Sequence, residues 1–132
     1  MAIHRRRGGA AIEFALVLPV LLGLLFGIIE YGWMFLQQSN IVSAVREGVR
    51  LGVTYATDAT PDPAEAAADR IEAVLADYAI VGATVVTAYE GASPDETLTV
   101  TVTVPYQPLI GWKGLAPDNL SASMTMLLEL QD

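Results

Sequence analysis

The feature that most constrains the fold is a long apolar run close to the N-terminus. No charged residue occurs in residues 14–29, and Arg5, Arg6 and Arg7 precede the run. With residues 9–12 before it and 31–36 after it, the stretch exceeds the roughly 20 residues that a helix needs to cross a bilayer. Because lipid offers no hydrogen-bond partner to the backbone, we expect this segment to be a helix.

The flanks of the run predict how it crosses the membrane. Arginines precede the span and few basic residues follow it, which places the N-terminus in the cytoplasm and the rest of the chain outside. Tyr31, Trp33 and Phe35 lie at the far end, where aromatic rings favour the interface. A secretory signal peptide begins in the same way, but its apolar region is shorter and a small-x-small cleavage site follows it. No convincing site of that kind follows here.

Charge divides the 132 residues into two parts. Residues 1–50 hold five arginines and three glutamates, a net +2, whereas residues 51–132 hold two basic and twelve acidic residues, a net −10. The acidic part argues against a nucleic-acid partner, which requires a basic face, and against docking on anionic lipid. The chain has no cysteine, which excludes disulfides, thiolate metal sites and cysteine nucleophiles.

Several residues of the apolar helix stand out from their surroundings. Glu13 and Glu30 lie near its two ends, where each carboxylate can reach an interface by snorkelling, but a carboxylate in a membrane helix is also a candidate functional residue, and Glu30 is a candidate for helix packing. Pro19 predicts a kink within the span. Glycines four residues apart share a helix face and permit close approach of another helix, and two such pairs occur, Gly23 with Gly27 and Gly48 with Gly52.

Beyond the span the sequence predicts a small α+β head. We expect a basic leader at 1–8, one long helix over 9–56 that is transmembrane over about 10–36 and amphipathic over about 37–56, and a head over 57–132. In the amphipathic part Glu47 can pair with Arg50 at i, i+3. A second helix should run from Pro63 to about Tyr78, with Asp62 as its N-cap. Alternation of apolar residues and threonines predicts strands at 84–89, 97–104 and 121–130, in an antiparallel sheet with one face covered.

The connection between the last two strands is apolar for a loop. Its large apolar residues are Tyr106, Leu109, Ile110, Trp112 and Leu115. Two interpretations remain open: the connection packs over the edge of the sheet, or it contacts another subunit.

Nothing in the sequence predicts catalysis. The single histidine, His4, lies in the leader, and no nucleophile elbow or phosphate-binding glycine loop occurs. The acidic residues of the second helix are typical of a solvated face rather than a metal site. We therefore expect no enzyme activity, no metal, no cofactor and no small-molecule substrate.

The motifs of the N-terminal part resemble those of a known family. A basic leader ends in glycine, four small or apolar residues follow, and Glu-Phe then precedes an apolar helix. This arrangement resembles the class III signal of type IV pilin-like proteins. The sequence looks most like the TadE-like pseudopilins of tight-adherence (Tad, or Flp) pilus systems. The similarity covers about residues 5–56. The segments that carry it are RRRGGAAIEF at 5–14, ALVLP at 15–19, GIIEYG at 27–32 and AVREGVR at 44–50.

The resemblance implies a minor pilin or pseudopilin that takes part in pilus assembly for adhesion. A prepilin peptidase would cut between Gly8 and Gly9, and Glu13, followed by Phe14, would become the fifth residue of the mature chain. There its carboxylate could pair with the new α-ammonium group of a neighbouring subunit. The implied partners are the peptidase, the inner-membrane Tad platform proteins, the major Flp-type pilin and another TadE-like or TadF-like minor pilin.

The implied location is a single pass through the bacterial inner membrane, with the head outside the cytoplasm and the chain a candidate for incorporation in the pilus. The alternative is an unprocessed, signal-anchored binding domain unrelated to pili. The register from Gly8 to Phe14 and the long continuous helix favour the pilin interpretation.

Overall fold

A computed structural model describes residues 7–55, 60–91, 95–111 and 116–128. Two helices, α1 (Arg7–Gly52) and α2 (Pro63–Asp77), precede three strands, β1 (Thr84–Glu90), β2 (Thr97–Pro105) and β3 (Asn119–Leu127). The strands form one antiparallel sheet in the order β1-β2-β3. The predicted fold class, a long N-terminal helix, a short second helix and a three-stranded antiparallel sheet, is confirmed.

Helix α1 is the dominant element. Its 46 residues include Pro19 and correspond to about 69 Å of helix at 1.5 Å per residue. It ends at Gly52, before the predicted end near residue 56. The next residues form a turn in which the backbone N and the side-chain Oγ1 of Thr54 both donate to the carbonyl of Leu51, at 3.1 Å and 2.6 Å.

Helix α2 begins as predicted and ends one residue earlier, at Asp77. Asp62 is the N-cap and its carboxylate accepts from the backbone N of Glu65 at 2.8 Å, while Pro63 occupies the first turn, where its missing N–H costs no hydrogen bond. At the other end Ala79 adopts a positive φ of 55°, and the N–H of Ile80 donates to the carbonyl of Leu75 at 2.9 Å. These contacts satisfy polar groups at both ends of the helix.

The sheet follows the alternation of its sequence. In β2 the residues Leu98, Val100, Val102 and Val104 are at most 2% exposed and face the helices, while the intervening threonines lie on the other face. Strand β3 begins at Asn119, two residues before the predicted start, because its register pairs Asn119 with Pro105 at the end of β2. The predicted Leu130 lies outside the described residues.

The core of the head includes side chains from the C-terminal part of α1. Helix α2 runs back along α1, with Pro63 beside Gly52 and Ile71 beside Gly48. Both helices cover the same face of the sheet. The buried hydrophobic cluster comprises Ile41, Ala44, Val45, Val49, Val53, Ala67, Ile71, Val74, Leu75, Leu98, Val100, Val102, Val104, Tyr106, Leu120 and Leu128. Five of these residues belong to α1 or follow it directly, so the folded unit includes the helix from about residue 41.

Candidate functional site

The N-terminal part of α1, residues 9–29, is an exposed apolar rod. Residues 9–29 include no buried residue, and large side chains such as Leu16, Leu24 and Ile28 are 63–75% exposed. The helix has a window of mean hydropathy 2.6, none of it buried, and by length and composition it can cross a membrane. One N-terminal helix of this kind fits a single-pass membrane protein.

The residues predicted to act in processing and assembly all lie on this rod. Gly8 and Gly9 fall in the first turns of α1, and Glu13 and Phe14 are exposed, Phe14 at 63%. Glu13 has no hydrogen bond or ion pair with any residue that the structure describes. A Cβ added at Gly9 or Gly23 would meet no atom within 4 Å, and Gly27 is partly exposed. This part of the helix is therefore open to other molecules.

Glu30 ends the rod and is the one buried charged residue among those described, at 7% exposure. Its Oε1 accepts from the Tyr106 hydroxyl at 2.5 Å and from the backbone N of Leu109 at 3.0 Å, and its Oε2 accepts from the backbone N of Ile110 at 2.8 Å. The carboxylate does not snorkel into water, because the β2–β3 connection supplies three donors that satisfy it.

The Tyr106 hydroxyl is well suited to donate a hydrogen bond to Glu30. It is 7% exposed, and burial, with the hydrogen bond to Glu30, raises the pKa of Tyr106 to about 12. The phenol therefore keeps its proton and remains a donor to Glu30 at any physiological pH. Sequence reasoning did not foresee this contact. The usable signal was an acid at the edge of an apolar helix, which requires a partner when it is buried.

Two further side chains of α1 attach the same connection. The indole Nε1 of Trp33 and the amide Nε2 of Gln37 both donate to the carbonyl of Gln107 at 3.0 Å. The next residue, Gln38, donates through its side-chain Nε2 to the carbonyl of Ser121 in β3 at 2.9 Å. Together with Glu30, these residues fix the lower end of the head to two turns of the helix.

A groove of about 280 Å³ opens beside this attachment. Trp33 and Leu36 of α1, Val81 after α2, and Pro105 and Leu109 of the connection are among its lining residues. Leu109 and Ile110 are 55% and 45% exposed, whereas Tyr106 is buried. The connection thus divides its predicted apolar set between the interior and the surface, and Trp112 and Leu115 lie outside the described residues.

The second glycine pair serves packing within the chain. A Cβ at Gly48 would lie 2.3 Å from Cγ1 of Ile71 and 2.7 Å from the carbonyl oxygen of Ala67, and one at Gly52 would lie 2.5 Å from the carbonyl oxygen of Pro63. The helix that approaches this pair is therefore α2. The suggested pairing of Glu47 with Arg50 is wrong, because Glu47 instead forms a salt bridge with Arg70 of α2, which raises the pKa of Arg70.

The charged residues of the described part of the head do not form a metal-binding cluster. Within the described ranges no group of three or more His, Asp or Glu side chains is placed to hold a metal ion. What the structure offers is an exposed apolar helix at residues 9–29 and, next to its C-terminal end, the apolar β2–β3 connection fixed to Glu30. Such an arrangement suits contacts with lipid and with other helices.

One comparison with known proteins finds a similarity, and it lies in α1. Residues 8–50 match the family model described as TadE-like protein, while no curated protein and no solved structure matches the chain. The match begins at Gly8 and ends within the last turn of α1, so it includes the exposed rod and the part of α1 that packs in the head. Residues 8–50 of the 132 are therefore similar to the TadE-like family, as their motifs predicted, and this similarity supports a relation to the Tad pilus system.

Proposed function

We propose that this chain is a minor pilin or pseudopilin that takes part in assembly of a Tad (Flp) pilus used for adhesion. The observation that carries the proposal is the exposed apolar rod at residues 9–29, which lies inside the family match and begins at the glycine pair. None of the residues that the structure describes buries this part of the helix, which is therefore suited to pack against similar helices. The role is structural rather than catalytic.

Processing by a prepilin peptidase is part of the proposal. Cleavage between Gly8 and Gly9 would remove three arginines and leave an α-ammonium group four residues before Glu13. The Glu13 carboxylate, exposed on the rod, would pair with the α-ammonium of a neighbouring subunit, which reduces the cost of both charges in an apolar bundle. The cytoplasmic N-terminus and the extracytoplasmic head follow from the arginine flank.

The proposed partners follow from the same surface. The rod would contact the major Flp-type pilin, another TadE-like or TadF-like minor pilin and the inner-membrane platform proteins, and the leader would contact the peptidase. Support comes from the family match and from the exposure of Gly23, Phe14 and their neighbours.

The proposal is tested by intact-mass spectrometry of the membrane-extracted chain, expressed with and without a prepilin peptidase of a Tad system. We expect a chain that begins at Gly9 when the peptidase is present and the uncut chain when it is absent. Gly8→Leu should block the cut, whereas Gly23→Leu, a matched change on the same helix, should not. A chain that keeps residues 5–8 under every condition would instead support an unprocessed, signal-anchored domain.

A further inference from the structure

The depth of Glu30 in a membrane follows from helix geometry. Glu13 and Glu30 are 17 residues apart, or about 26 Å along the helix at 1.5 Å per residue. The hydrocarbon core of a bilayer is about 30 Å thick. With Glu13 at the inner border of the hydrocarbon core, the helix up to Glu30 is slightly too short to span the core. Glu30 therefore lies at the outer border of the core or just inside it.

The connection after β2 is held at that same depth. The backbone nitrogens of Leu109 and Ile110 lie 3.0 Å and 2.8 Å from the Glu30 carboxylate oxygens. Their side chains are 55% and 45% exposed, so they project from the protein at the level where the span ends. Trp33, which binds the carbonyl of Gln107, is an aromatic residue of the type that favours this interface.

A second segment of the head adds to this surface. We define the base as residues 78–83 and 105–111, which contain no charged residue. Both segments line the groove beside α1. Among the described residues beyond α1, the exposed large hydrophobic residues are Tyr78, Val81, Val86, Tyr89, Leu109, Ile110 and Leu127. Four of these seven lie in the base, so the apolar exposure of the head is concentrated at the end next to the membrane.

We infer that the base is a lipid-binding surface, on which the head rests in the outer interface of the bilayer. Its occupant is the boundary between headgroups and acyl chains, because the base is continuous with the apolar rod and Glu30 fixes its depth. Raising the head clear of the lipid would draw Ile28 and Ile29, 71% and 40% exposed, into water. Asp77 directly precedes the base, and the carbonyl of Asp118 accepts from the backbone N of Tyr106 at 2.9 Å, so acidic residues border the base and the contact does not need anionic lipid.

The absence of cysteine allows a direct test on the full chain. Single-cysteine variants Ile110→Cys and Val81→Cys would carry an environment-sensitive nitrobenzoxadiazole label, in phosphatidylcholine vesicles at one chain per several thousand lipids. Leu127→Cys is the matched control, since Leu127 is 57% exposed but lies at the far end of β3. Circular dichroism would verify that each labelled variant is folded.

We expect a blue-shifted emission at positions 110 and 81 and quenching by lipids that carry a nitroxide near the headgroup, at least about twofold stronger than at position 127. Emission at 110 and 81 like that at 127, without quenching, would overturn the inference. A blue shift that appears only at high protein density or after addition of the major pilin would also overturn it, because the occupant would then be another subunit. The test uses the uncut chain and no pilus component, so its outcome is independent of whether the chain is a pilin.

Discussion

The close approach of α1 and α2 at Gly48 leads to a quantitative prediction. A methyl group added by Gly48→Ala would lie 2.3 Å from Cγ1 of Ile71 and 2.7 Å from the backbone oxygen of Ala67. The side chain can yield, but the backbone oxygen moves only if α2 shifts as a whole. Overpacking of this kind costs about 1–3 kcal/mol, whereas alanine is favoured over glycine in a helix by about 1 kcal/mol. The steric effect is larger, and we expect a net loss of about 1 kcal/mol.

The assay is guanidinium unfolding of the head in maltoside micelles, followed by circular dichroism. With a slope of about 3 kcal/mol per molar denaturant, a loss of this size lowers the midpoint by about 0.3 M. Gly32→Ala is the matched control on the same helix, because a Cβ at Gly32 meets no atom within 4 Å. Its midpoint should be unchanged or raised.

A double-mutant cycle identifies the contact responsible. Ile71 is fully buried, so Ile71→Ala alone should cost about 2–4 kcal/mol. The double variant Gly48→Ala/Ile71→Ala should be more stable than the sum of the two losses predicts, because the truncated side chain leaves room for the new methyl group. If Gly48→Ala raised the midpoint as the control does, the close helix contact would be refuted, whereas additive losses would assign the cost to the backbone oxygen of Ala67 and not to Ile71.

Two further predictions concern the attachment of the β2–β3 connection to α1. Glu30→Ala leaves the N–H groups of Leu109 and Ile110 without their acceptor. Hydrogen exchange in residues 105–111, measured by mass spectrometry, should therefore accelerate at least about tenfold while exchange in β2 stays unchanged. Equal exchange in variant and parent would show that Glu30 does not hold the connection. Because the pKa of Tyr106 is raised to about 12, the contribution of its protonated phenol to the stability of the head should be complete up to about pH 10, where the phenol of the unfolded chain ionises, and should be lost between pH 10 and 12. Tyr106→Phe should remove this part of the loss and the last step of the tyrosine titration at 295 nm, and an unchanged titration would contradict the assignment.

The sequence predicts well the elements that depend on local pattern. The uncharged run predicts α1, Asp62 followed by Pro63 predicts the start of α2, and strict alternation predicts β2 to within one residue. Each of these signals acts over a few residues, through backbone hydrogen bonding or through the face that a side chain presents. The ends of elements are less well predicted, as at Gly52 and Asn119, because they depend on a turn and on pairing with a distant strand.

The site at the base could not be predicted in the same way. Glu30 and its donors are 76 to 80 residues apart in sequence, and no periodic pattern joins them. The snorkelling interpretation of Glu30 assumed that water was the only available partner. Likewise, the salt bridge from Glu47 to Arg70 depends on the antiparallel packing of α2, which makes a residue of another helix a nearer partner than Arg50.

Because α1 continues from the apolar rod into the core of the head, the position of the head along the helix axis and its orientation around that axis are linked. Each residue added to or removed from this helix before Glu30, where the head is first attached, would move the head by about 1.5 Å along the axis and turn it by about 100° around it. The number of residues between Glu13 and Glu30 therefore sets which side of the head faces a neighbour whose helix packs against the rod. In a helical fibre, the length of this segment would therefore determine which surface of its head each subunit presents to its neighbours.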